Sequence, residues 1–402
     1  MSNFIPYGRH CIEEDDIAAV AAVLRSEHLT GGPVVEEFET AFAKRVGARH
    51  AVAVSSGTAG LHLASLALGL GTGMLVIVPT LTFLATANAP TYTGAKVVFA
   101  DVDPGTGLLG PSEVEEAIER ADGKVKAVFP VHLNGQSVDM EALKKICDSR
   151  GIRIIEDASH ALGGEYRTVD GQWHSVGSCE HSDMAVFSMH PVKNIAMGEG
   201  GMVTTNDDQL AQTLRRLRNH GMIREPEAFQ NHEAAFDDEG NPNPWYYEMQ
   251  ELGYNYRTSA IHCALGLSQL AKLDRFLVHR RTLATAYDQA LAPLAPVLRP
   301  IPRPAHSRHA WHLYVVHVDF RALGIPRSQL MRHLHQTDIG TQVHYRPVHQ
   351  QPFYYSDGLG FSAAGNFYEN CLTLPLHTGV DDAVVKRCIV VLSALTKVFI
   401  ND

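Results

Sequence analysis

The chain has 402 residues, too many for a single ordinary hydrophobic core, so we expect one large and one smaller domain. Hydrophobic residues make up 45% of the sequence and charged residues 19%, a balance that excludes a disordered chain. A net charge of −10 without any local basic patch argues against nucleic acid as a partner.

The six cysteines are scattered without CxxC pairs, which argues against a zinc site and against a disulfide framework. The first residues, MSNFIPYGRH, lack a basic-then-apolar signal pattern. No apolar run reaches the roughly 18 to 20 residues that are needed to cross a bilayer. We therefore expect a cytoplasmic protein without a metal site.

The first 50 residues contain two amphipathic helical patterns, EEDDIAAVAAVLRS and PVVEEFETAFAKRVG. From Ala51 to Asp157, short apolar runs alternate with helical patterns, and the runs MAVFSM and GMVTTND extend this order to about Asp207. This alternation predicts an α/β fold with a mostly parallel central sheet covered by helices. Such sheets bind ligands at the carboxyl ends of their strands, where Ser55, Ser56 and Asp157 lie.

Residues 222–252 form a polar, acidic stretch that is longer than an ordinary connection, which indicates a functional loop or an interface segment. A helical pattern from about Ser259 to Ala292 leads to a second unit with the runs WHLYVVHVDF, SQLMRHLHQ, GTQVHY and DAVVKRCIVVLSAL. We predict an N-terminal segment and large domain over residues 1–252. Residues 253–402 are predicted to form a connecting helix and a smaller α+β C-terminal domain.

The segment FSMHPVKNIAMGEGGMVTTND places one lysine, Lys193, between an apolar strand and the glycines Gly198, Gly200 and Gly201. Most lysines are solvated on the surface, but apolar flanks and close-approach glycines are unusual surroundings for a surface lysine. A lysine in a partly desolvated pocket loses its proton readily and becomes an amine that forms Schiff bases. We interpret Lys193 as such a nucleophile.

A second segment, VSSGTAGLHLA, joins a strand to a helix through Ser55, Ser56, Gly57, Thr58 and Ala59. Free amide groups and the dipole at a helix N-terminus favour a phosphate, and Gly57 allows its close approach. Ordinary helix caps have the same composition. This segment alone therefore leaves a phosphate site and a plain cap as alternatives.

A third segment, IIEDASHALG, ends an apolar strand with Glu156 and Asp157. A carboxylate there needs a partner, and the protonated ring nitrogen of pyridoxal phosphate is one, with a structural helix cap as the alternative. His160, one helical turn along, lies near the same ligand or on a helix surface. Phe83 in PTLTFLATANA is either a core residue or a ring that stacks on a flat cofactor.

Together these segments resemble the DegT/DnrJ/StrS family of nucleotide-sugar aminotransferases nearly end to end, and SxHxxKxxxxGEGG is the most specific motif. The resemblance implies the aspartate-aminotransferase type of fold, which is fold type I of the pyridoxal-phosphate enzymes. It implies that Lys193 forms the Schiff base and shuttles the proton, that Asp157 pairs with the pyridine nitrogen, and that His160 lies by the ring hydroxyl. The further cofactor contacts that it implies are stacking by Phe83 and phosphate binding by Gly57, Thr58, Ala59, Ser188 and, from the other subunit of a homodimer, Asn255.

Within the family, PWYYEMQELGYNYR, SEHLTGG, FPVHLNGQSVDM and QVHYRPVHQQPFY resemble the branch that acts in pseudaminic acid synthesis. This resemblance implies transfer of the amino group of L-glutamate to C4 of UDP-4-keto-6-deoxy-N-acetylhexosamine. The substrate-binding residues that it implies are Tyr7, Glu27, His28, Leu29, Thr30, His190, His344, Tyr345 and Arg346. Met74, Met189 and the segment SAIHCAL depart from the usual family pattern, which leaves GDP- or dTDP-linked keto sugars as alternatives.

Three other classes of protein fit the sequence less well. Sugar dehydratases of the same family carry histidine in place of the Schiff-base lysine, whereas this chain has Lys193. A cofactor-binding regulatory protein is opposed by the intact Lys193, Asp157 and GEGG turn. A Rossmann dehydrogenase is opposed because no GxGxxG follows the first strand. The sequence leaves open the nucleotide, the sugar configuration, and whether C4 or C3 is aminated.

Overall fold

The computed structural model describes residues 4–121, 123–355 and 360–400. Helices and strands alternate through the first half of the chain, in the order α1 (Glu14–Leu24), α2 (Pro33–Val46), β1 (His50–Val54), α3 (Gly57–Ala67), β2 (Leu75–Pro79), α4 (Leu84–Tyr92), β3 (Lys96–Ala100), α5 (Pro111–Arg120), β4 (Val125–Val128), α6 (Met140–Asp148), β5 (Arg153–Asp157), β6 (Glu165–Arg167), β7 (Trp173–Ser175), β8 (Met184–Ser188), β9 (Gly201–Thr205) and α7 (Asp208–Leu217).

The second half is mostly helical, with short strands between the helices. Its elements are β10 (Met222–Ile223), α8 (His232–Ala235), β11 (Glu248–Met249), α9 (Ala260–Ala271), α10 (Leu273–Leu291), β12 (Leu298–Pro300), β13 (Ser307–Arg308), β14 (Tyr314–Val318), α11 (Phe320–Leu323), α12 (Arg327–Gln336), α13 (Ser362–Asn370), β15 (Cys371–Leu374) and α14 (Asp382–Ile400). No helix within the described ranges is long and apolar enough to cross a membrane.

The central sheet has seven strands in the order β1-β9-β8-β5-β4-β2-β3. All neighbouring pairs are parallel except the two that involve β9, which lies antiparallel between β1 and β8. The sequence pattern predicted a mostly parallel sheet but did not distinguish the direction of β9. A short connection from β8 to β9 contains no crossover helix, and a parallel pairing needs one. The turn between these strands, residues 189–200, therefore stays at the carboxyl end of β8.

Two hydrophobic clusters account for most of the buried side chains. The larger one surrounds the seven-stranded sheet and includes α1, α2 and α9, so the start of the chain packs beside the helix that follows the central sheet in sequence. The smaller one is built from residues between Leu283 and Leu392, around the three-stranded antiparallel sheet β12-β14-β15. The run GTQVHY, grouped with this second unit in the sequence, is not a strand: Gln342 makes only an isolated bridge to Thr373.

The stretch 222–252 has structure of its own. β10 and β11 pair as a short antiparallel ladder, and Ile223, Phe229 and Ala235 form a separate small core beneath it. Phe236 and Tyr246 pack against this core, whereas Trp245, Tyr247, Met249 and Leu252 are exposed. A polar, acidic segment has thus folded into a small ordered unit with an apolar outer surface.

Candidate active site

A cavity of about 480 Å³ opens where the carboxyl ends of β5 and β8 meet the N-termini of α3 and α4. Its position is the one expected of a ligand site on a largely parallel sheet. The cavity brings together eleven of the residues predicted from the sequence: Tyr7, Gly57, Thr58, Phe83, Asp157, His160, Ser188, His190, Lys193, His344 and Tyr345.

Lys193 is carried on the turn between β8 and β9. Its amide donates to the carbonyl of His190 at 2.8 Å, and the neighbouring Asn194 side chain donates to the carbonyls of Ala310 and Leu162 at 2.8 and 3.2 Å. Burial lowers the pKa of the Lys193 ammonium to about 8, although the Asp157 carboxylate opposes this shift. About one-tenth of Lys193 is therefore an uncharged amine at pH 7, far more than for a solvated lysine, and this free amine is the form that a nucleophile requires.

Glycine is required where this turn meets α3. A Cβ on Gly201 would lie 2.5 Å from the carbonyl carbon and oxygen of Ser56, and one on Gly57 would lie 2.9 Å from the Cβ of Ser188. Both distances are too short for a side chain. The two glycines thus hold the N-terminus of α3 directly against the strands that flank the lysine turn.

The N-terminus of α3 offers donors to the cavity. The Ser56 hydroxyl accepts a hydrogen bond from the Ala59 amide at 3.1 Å and so caps the helix. The amides of Gly57 and Thr58 precede the first intrahelical bonds, and both residues line the cavity beside Ser188. Free amides and the helix dipole at this point form a site that suits a phosphate.

Asp157 ends β5 with a side chain that is only 5% exposed. One carboxylate oxygen accepts from the Thr86 hydroxyl at 2.7 Å and the other from the Ser159 amide at 3.1 Å. Both donors are neutral, so they orient the carboxylate without neutralising it. A buried carboxylate that faces a cavity favours a cationic ligand group, such as a protonated ring nitrogen.

Three histidines line the cavity together with Lys193: His160, His312 and His344. Burial lowers the pKa of His344 to about 3 and lowers the pKa of His160 and His312 well below its usual range, with a further contribution from the Lys193 charge. The rings of His160 and His312 have centroids 4.5 Å apart. Because all three rings are uncharged, they can offer hydrogen bonds to a phosphate or carboxylate but no net positive charge to bind it.

The remaining cavity residues that the sequence predicted lie at its mouth. The Phe83 side chain is 53% exposed, an unusual position for a large apolar ring, and its centroid is 5.8 Å from that of Tyr345. The Tyr7 ring packs 5.4 Å from His344, and His190 is exposed. An exposed aromatic at a cavity mouth is available to stack on a flat ligand.

Seven predicted residues do not line this cavity. Ala59 lies inside the first turn of α3, where its amide is bound by Ser56. The segment 27–30 runs beside the start of α9, because the Leu29 carbonyl accepts from the Ala260 amide at 3.0 Å. Arg346 and Asn255 are exposed outside the cavity. The residues concerned are Glu27, His28, Leu29, Thr30, Ala59, Asn255 and Arg346.

The structure also places residues in the cavity that sequence reasoning missed. Thr82 lines the cavity just before α4 begins, and its hydroxyl hydrogen-bonds at 2.7 Å with that of Thr86, which donates to Asp157. A pair of threonines spaced four apart at the start of a helical pattern was a usable signal. His312 was grouped with the second unit because it stands near the start of the apolar run WHLYVVHVDF. Cavity residues that were not predicted are Leu61, Thr82, Ala85, Val131, Ser159, Val192, Glu199, His312, Gln342 and Val343.

Comparison with known proteins gives matches along nearly the whole chain. The sequence profile of the DegT/DnrJ/EryC1/StrS aminotransferase family matches residues 10–393. The spore coat polysaccharide biosynthesis protein SpsC of Bacillus subtilis (strain 168) is 39% identical over 387 residues, which cover 95% of this chain and 94% of SpsC.

Solved structures give the same result. PseC of Helicobacter pylori, an aminotransferase involved in the biosynthesis of pseudoaminic acid, superposes with a TM-score of 0.87 at 27% identity, covering 99% of this chain and 100% of PseC. A putative sugar aminotransferase from Streptococcus pneumoniae in its PLP form gives a TM-score of 0.84 at 26% identity, covering 98% and 99% of the two chains. The predicted fold class, that of the fold type I pyridoxal-phosphate enzymes, is confirmed.

The cavity has the features that this cofactor needs: an amine of lowered pKa, a buried carboxylate for a ring nitrogen, and free helix amides for a phosphate. These features lie on β5, on α3 and on the turn between β8 and β9, in the part of the chain that the family profile matches. The chain therefore belongs to the DegT/DnrJ/EryC1/StrS aminotransferase family, whose enzymes use pyridoxal phosphate.

Proposed function

We propose that this enzyme transfers the amino group of L-glutamate to the C4 keto group of a nucleotide-linked 4-keto-6-deoxy sugar, UDP-4-keto-6-deoxy-N-acetylhexosamine, for polysaccharide synthesis. The observation that carries the proposal is the lysine of lowered pKa in a cavity that also contains a buried carboxylate and a helix N-terminus. The names of SpsC and PseC support a sugar substrate and a polysaccharide or pseudaminic acid product.

In this proposal, each cavity residue has a defined task towards pyridoxal phosphate. Lys193 holds the cofactor through its Nζ, and Asp157 keeps the ring nitrogen protonated. Phe83 covers one face of the ring. Gly57 and Thr58 donate backbone amides to the phosphate, together with Ala59 and Ser188. When bound, the cofactor supplies an electron sink for the carbanion that forms as nitrogen is transferred.

Lys193 has a second task after the amino donor binds. Once its Nζ is free, the uncharged amine of Lys193 would accept the proton from the α-carbon of glutamate and afterwards give a proton back to carbon, and in the second half of the cycle it would work in reverse. A pKa of about 8 suits both directions, because the amine accepts and releases a proton near neutral pH. His160 and Asp157 hold the surrounding groups in place.

The sugar side of the cavity is proposed to be its open mouth. Tyr7, His190 and Tyr345 line it within this chain, and the buried His344 lies beside them in the cavity. Glu27, His28, Leu29, Thr30 and Arg346 lie outside the cavity but are retained as candidates for the nucleotide, since a diphosphate extends well beyond the reacting carbon. Arg346 is the member of this set that offers a permanent positive charge to phosphate oxygens.

We further propose that the working form is a homodimer whose partner copy completes the site. Asn255 is exposed and lies outside the cavity of its own chain. Trp245, Tyr247, Met249 and Leu252, a short distance before it in sequence, expose large apolar surfaces. Exposed apolar patches of this kind are typical of protein interfaces. We propose that the dimer buries these side chains and that Asn255, close to them in sequence, contacts the phosphate of the cofactor in the partner's cavity.

The substrate is tested by incubating the purified protein with L-glutamate and a panel of UDP-, GDP- and dTDP-linked keto sugars. We expect mass spectrometry to show replacement of oxygen by an amino group in the UDP-linked 4-keto sugar. Lys193→Ala is the matched control and should give no product. Amination of a GDP- or dTDP-linked sugar in preference to the UDP-linked one would assign the enzyme to the alternative substrate class.

A further inference from the structure

The His160 ring makes two hydrogen bonds that fix which of its nitrogens carries the hydrogen. Nδ1 faces the backbone amide of Asn134 at 3.2 Å, and Nε2 faces the Tyr345 hydroxyl at 3.1 Å. An amide can only donate, so Nδ1 must present its lone pair. A neutral imidazole then carries its hydrogen on Nε2, which donates to the Tyr345 oxygen.

The amide that fixes this arrangement is held rigidly. Asn134 and Gly135 both have positive φ, at 63° and 99°, and a Cβ on Gly135 would lie 3.0 Å from the carbonyl oxygen of His160. The carbonyls of this turn accept from the Leu313 and Ala310 amides at 3.2 and 2.8 Å. The turn is thus clamped between the His160 loop and the segment that precedes β14, and its amide cannot rotate away.

Tyr345 is left with its own hydrogen to donate. Its oxygen accepts from His160, and the structure, over the residues it describes, shows no protein acceptor for its O–H. Tyr345 lines the cavity. Burial and the nearby Asp157 charge raise the pKa of Tyr345, so the phenol keeps its proton, and burial keeps His160 neutral by lowering its pKa.

We propose that Tyr345 is the group that donates a hydrogen bond to a ligand oxygen beside Lys193, and that His160 is a positioning residue that acts through Tyr345. The ligand oxygen is one with negative or carbonyl character, either the ring oxygen of the cofactor or the keto oxygen of the second substrate. The inference rests on the proposed function, and it assigns the direct contact to Tyr345 in place of His160.

The two successive hydrogen bonds, from His160 to Tyr345 and from Tyr345 to the ligand oxygen, form a relay. If the relay is correct, substitutions of His160 and of Tyr345 should have similar effects on turnover. His160→Leu removes both hydrogen bonds at similar volume, and Tyr345→Phe removes only the hydroxyl. Each should lower the turnover number about ten- to hundredfold. The double variant should be no slower than Tyr345→Phe alone, because residues in one chain of interactions are not additive. Additive losses would show that the two residues act independently and would overturn the relay.

His160→Gln is the rescue variant. The glutamine Oε1 can accept from the Asn134 amide while its Nε2 donates to Tyr345, so it reproduces the direction of the relay without an ionisable ring. We expect His160→Gln to recover most of the activity that His160→Leu loses, with an unchanged pH profile. Activity as low as that of His160→Leu would mean that His160 acts by taking up a proton itself, contrary to the proposal.

A spectroscopic test needs no turnover. In full-length holoenzyme labelled with ¹⁵N-histidine, the His160 signals are identified by their loss in His160→Gln. We expect a hydrogen on Nε2 and none on Nδ1. Tyr345→Phe should keep this tautomer, because the Asn134 amide remains, while the Nε2–H signal shifts. A hydrogen on Nδ1 would overturn the relay whatever the substrate of the enzyme is.

Two measurements on Tyr345→Phe distinguish the two oxygens. If the acceptor is the cofactor ring oxygen, pyridoxal phosphate binds more weakly to the protein and the half-reaction with glutamate slows. If it is the keto oxygen, cofactor binding and the glutamate half-reaction stay at wild-type level and only the sugar half-reaction slows. Wild-type values in all three would refute the proposal. If the wild type aminates no sugar at all, the proposed substrate fails, while the tautomer test still decides the relay.

Discussion

Lys193 differs from most lysines of this chain in being an amine that is partly uncharged near neutral pH. The pKa of about 8 arises from burial, and the Asp157 carboxylate limits the shift. A lowered pKa means that the reactive free amine reaches about one half at pH 8 and about nine-tenths at pH 9, and that a further rise in pH adds little.

The rate at which pyridoxal phosphate attaches to the apoprotein should therefore level off at about pH 9. A solvated lysine would instead give a rate that climbs towards its usual pKa of about 10.4. Stopped-flow absorbance over pH 6 to about 11 measures this dependence, and borohydride reduction followed by peptide mapping should find the cofactor on Lys193. Labelling of a different lysine, or a steady climb through pH 10, would contradict the assignment.

Asp157 is held by two neutral donors, the Thr86 hydroxyl and the Ser159 amide. Asp157→Asn keeps the shape of the side chain and can still accept from one of these donors, but it cannot hold a ring nitrogen protonated. We expect turnover to fall about several hundredfold, since tenfold corresponds to 1.36 kcal/mol of transition-state stabilisation. The melting temperature should change little. Near-normal turnover would mean that the carboxylate only stabilises the local structure through its hydrogen bonds with Thr86 and Ser159.

At the scale of the elements, the close approach of β9 to α3 is what brings the lysine turn and the helix amides together. A Cβ on Gly201 would lie 2.5 Å from the Ser56 carbonyl group. Gly201→Ala should lower the free energy of unfolding by about 1 to 3 kcal/mol and weaken cofactor binding, because α3 must move away.

The matched control for this change is Gly365→Ala in α13. No atom lies within 4 Å of the added Cβ at this position, and a helix interior favours alanine over glycine. We expect the control to raise stability by about 0.5 to 1 kcal/mol and to leave cofactor binding unchanged. Urea unfolding and titration with pyridoxal phosphate measure both effects. Equal stability of Gly201→Ala and the wild type would show that the backbone contact is not tight.

Local sequence patterns were sufficient to predict the strands and helices whose apolar residues are spaced according to which faces are buried. The alternation of apolar runs predicted the strands that end at Ser188 and Asp157, and the glycine cluster drew attention to Lys193. The direction of β9 could not be read, because a buried strand has the same composition whichever way it runs. GTQVHY reads as a strand, yet only Gln342 pairs, and the chain then turns so that His344 and Tyr345 reach the cavity.

The part of the site that depends on distant contacts was the least predictable. His312 is adjacent to His160 through contacts between distant parts of the chain, among them those of the turn at Asn134 with the segment before β14. Nothing in the run WHLYVVHVDF distinguishes a histidine that packs in a core from one that lines a cavity. Roles assigned to residues 27–30, Asn255 and Arg346 came from family resemblance and remain predictions.

At the scale of the whole molecule, the proposed dimer makes a quantitative prediction. Lys193→Ala and Asn255→Ala chains should each be severely impaired. A hybrid dimer contains one site with both wild-type residues if the two residues come from different chains. With random exchange, half of the dimers are hybrids, so about a quarter of wild-type activity should return.

The mixing experiment requires proof that subunits exchange, which native mass spectrometry of differently tagged chains supplies. Trp245→Ser, in the exposed apolar surface, provides an independent check, since it should weaken dimerisation and cofactor retention together. Verified hybrids without any recovery of activity would place Asn255 and Lys193 in the same chain's site.

The position of β9 between β1 and β8 also determines when the pocket can form during protein synthesis. β1 leaves the ribosome early but has no neighbour in the sheet until β9 has been made, because among the described strands it pairs with β9 alone. The helix amides at Gly57 and the lysine turn are brought together by the same event. His344 and Tyr345 arrive later still. A nascent chain therefore holds its first strand unpaired through the synthesis of most of the sheet, and capture of the cofactor marks a late stage of folding.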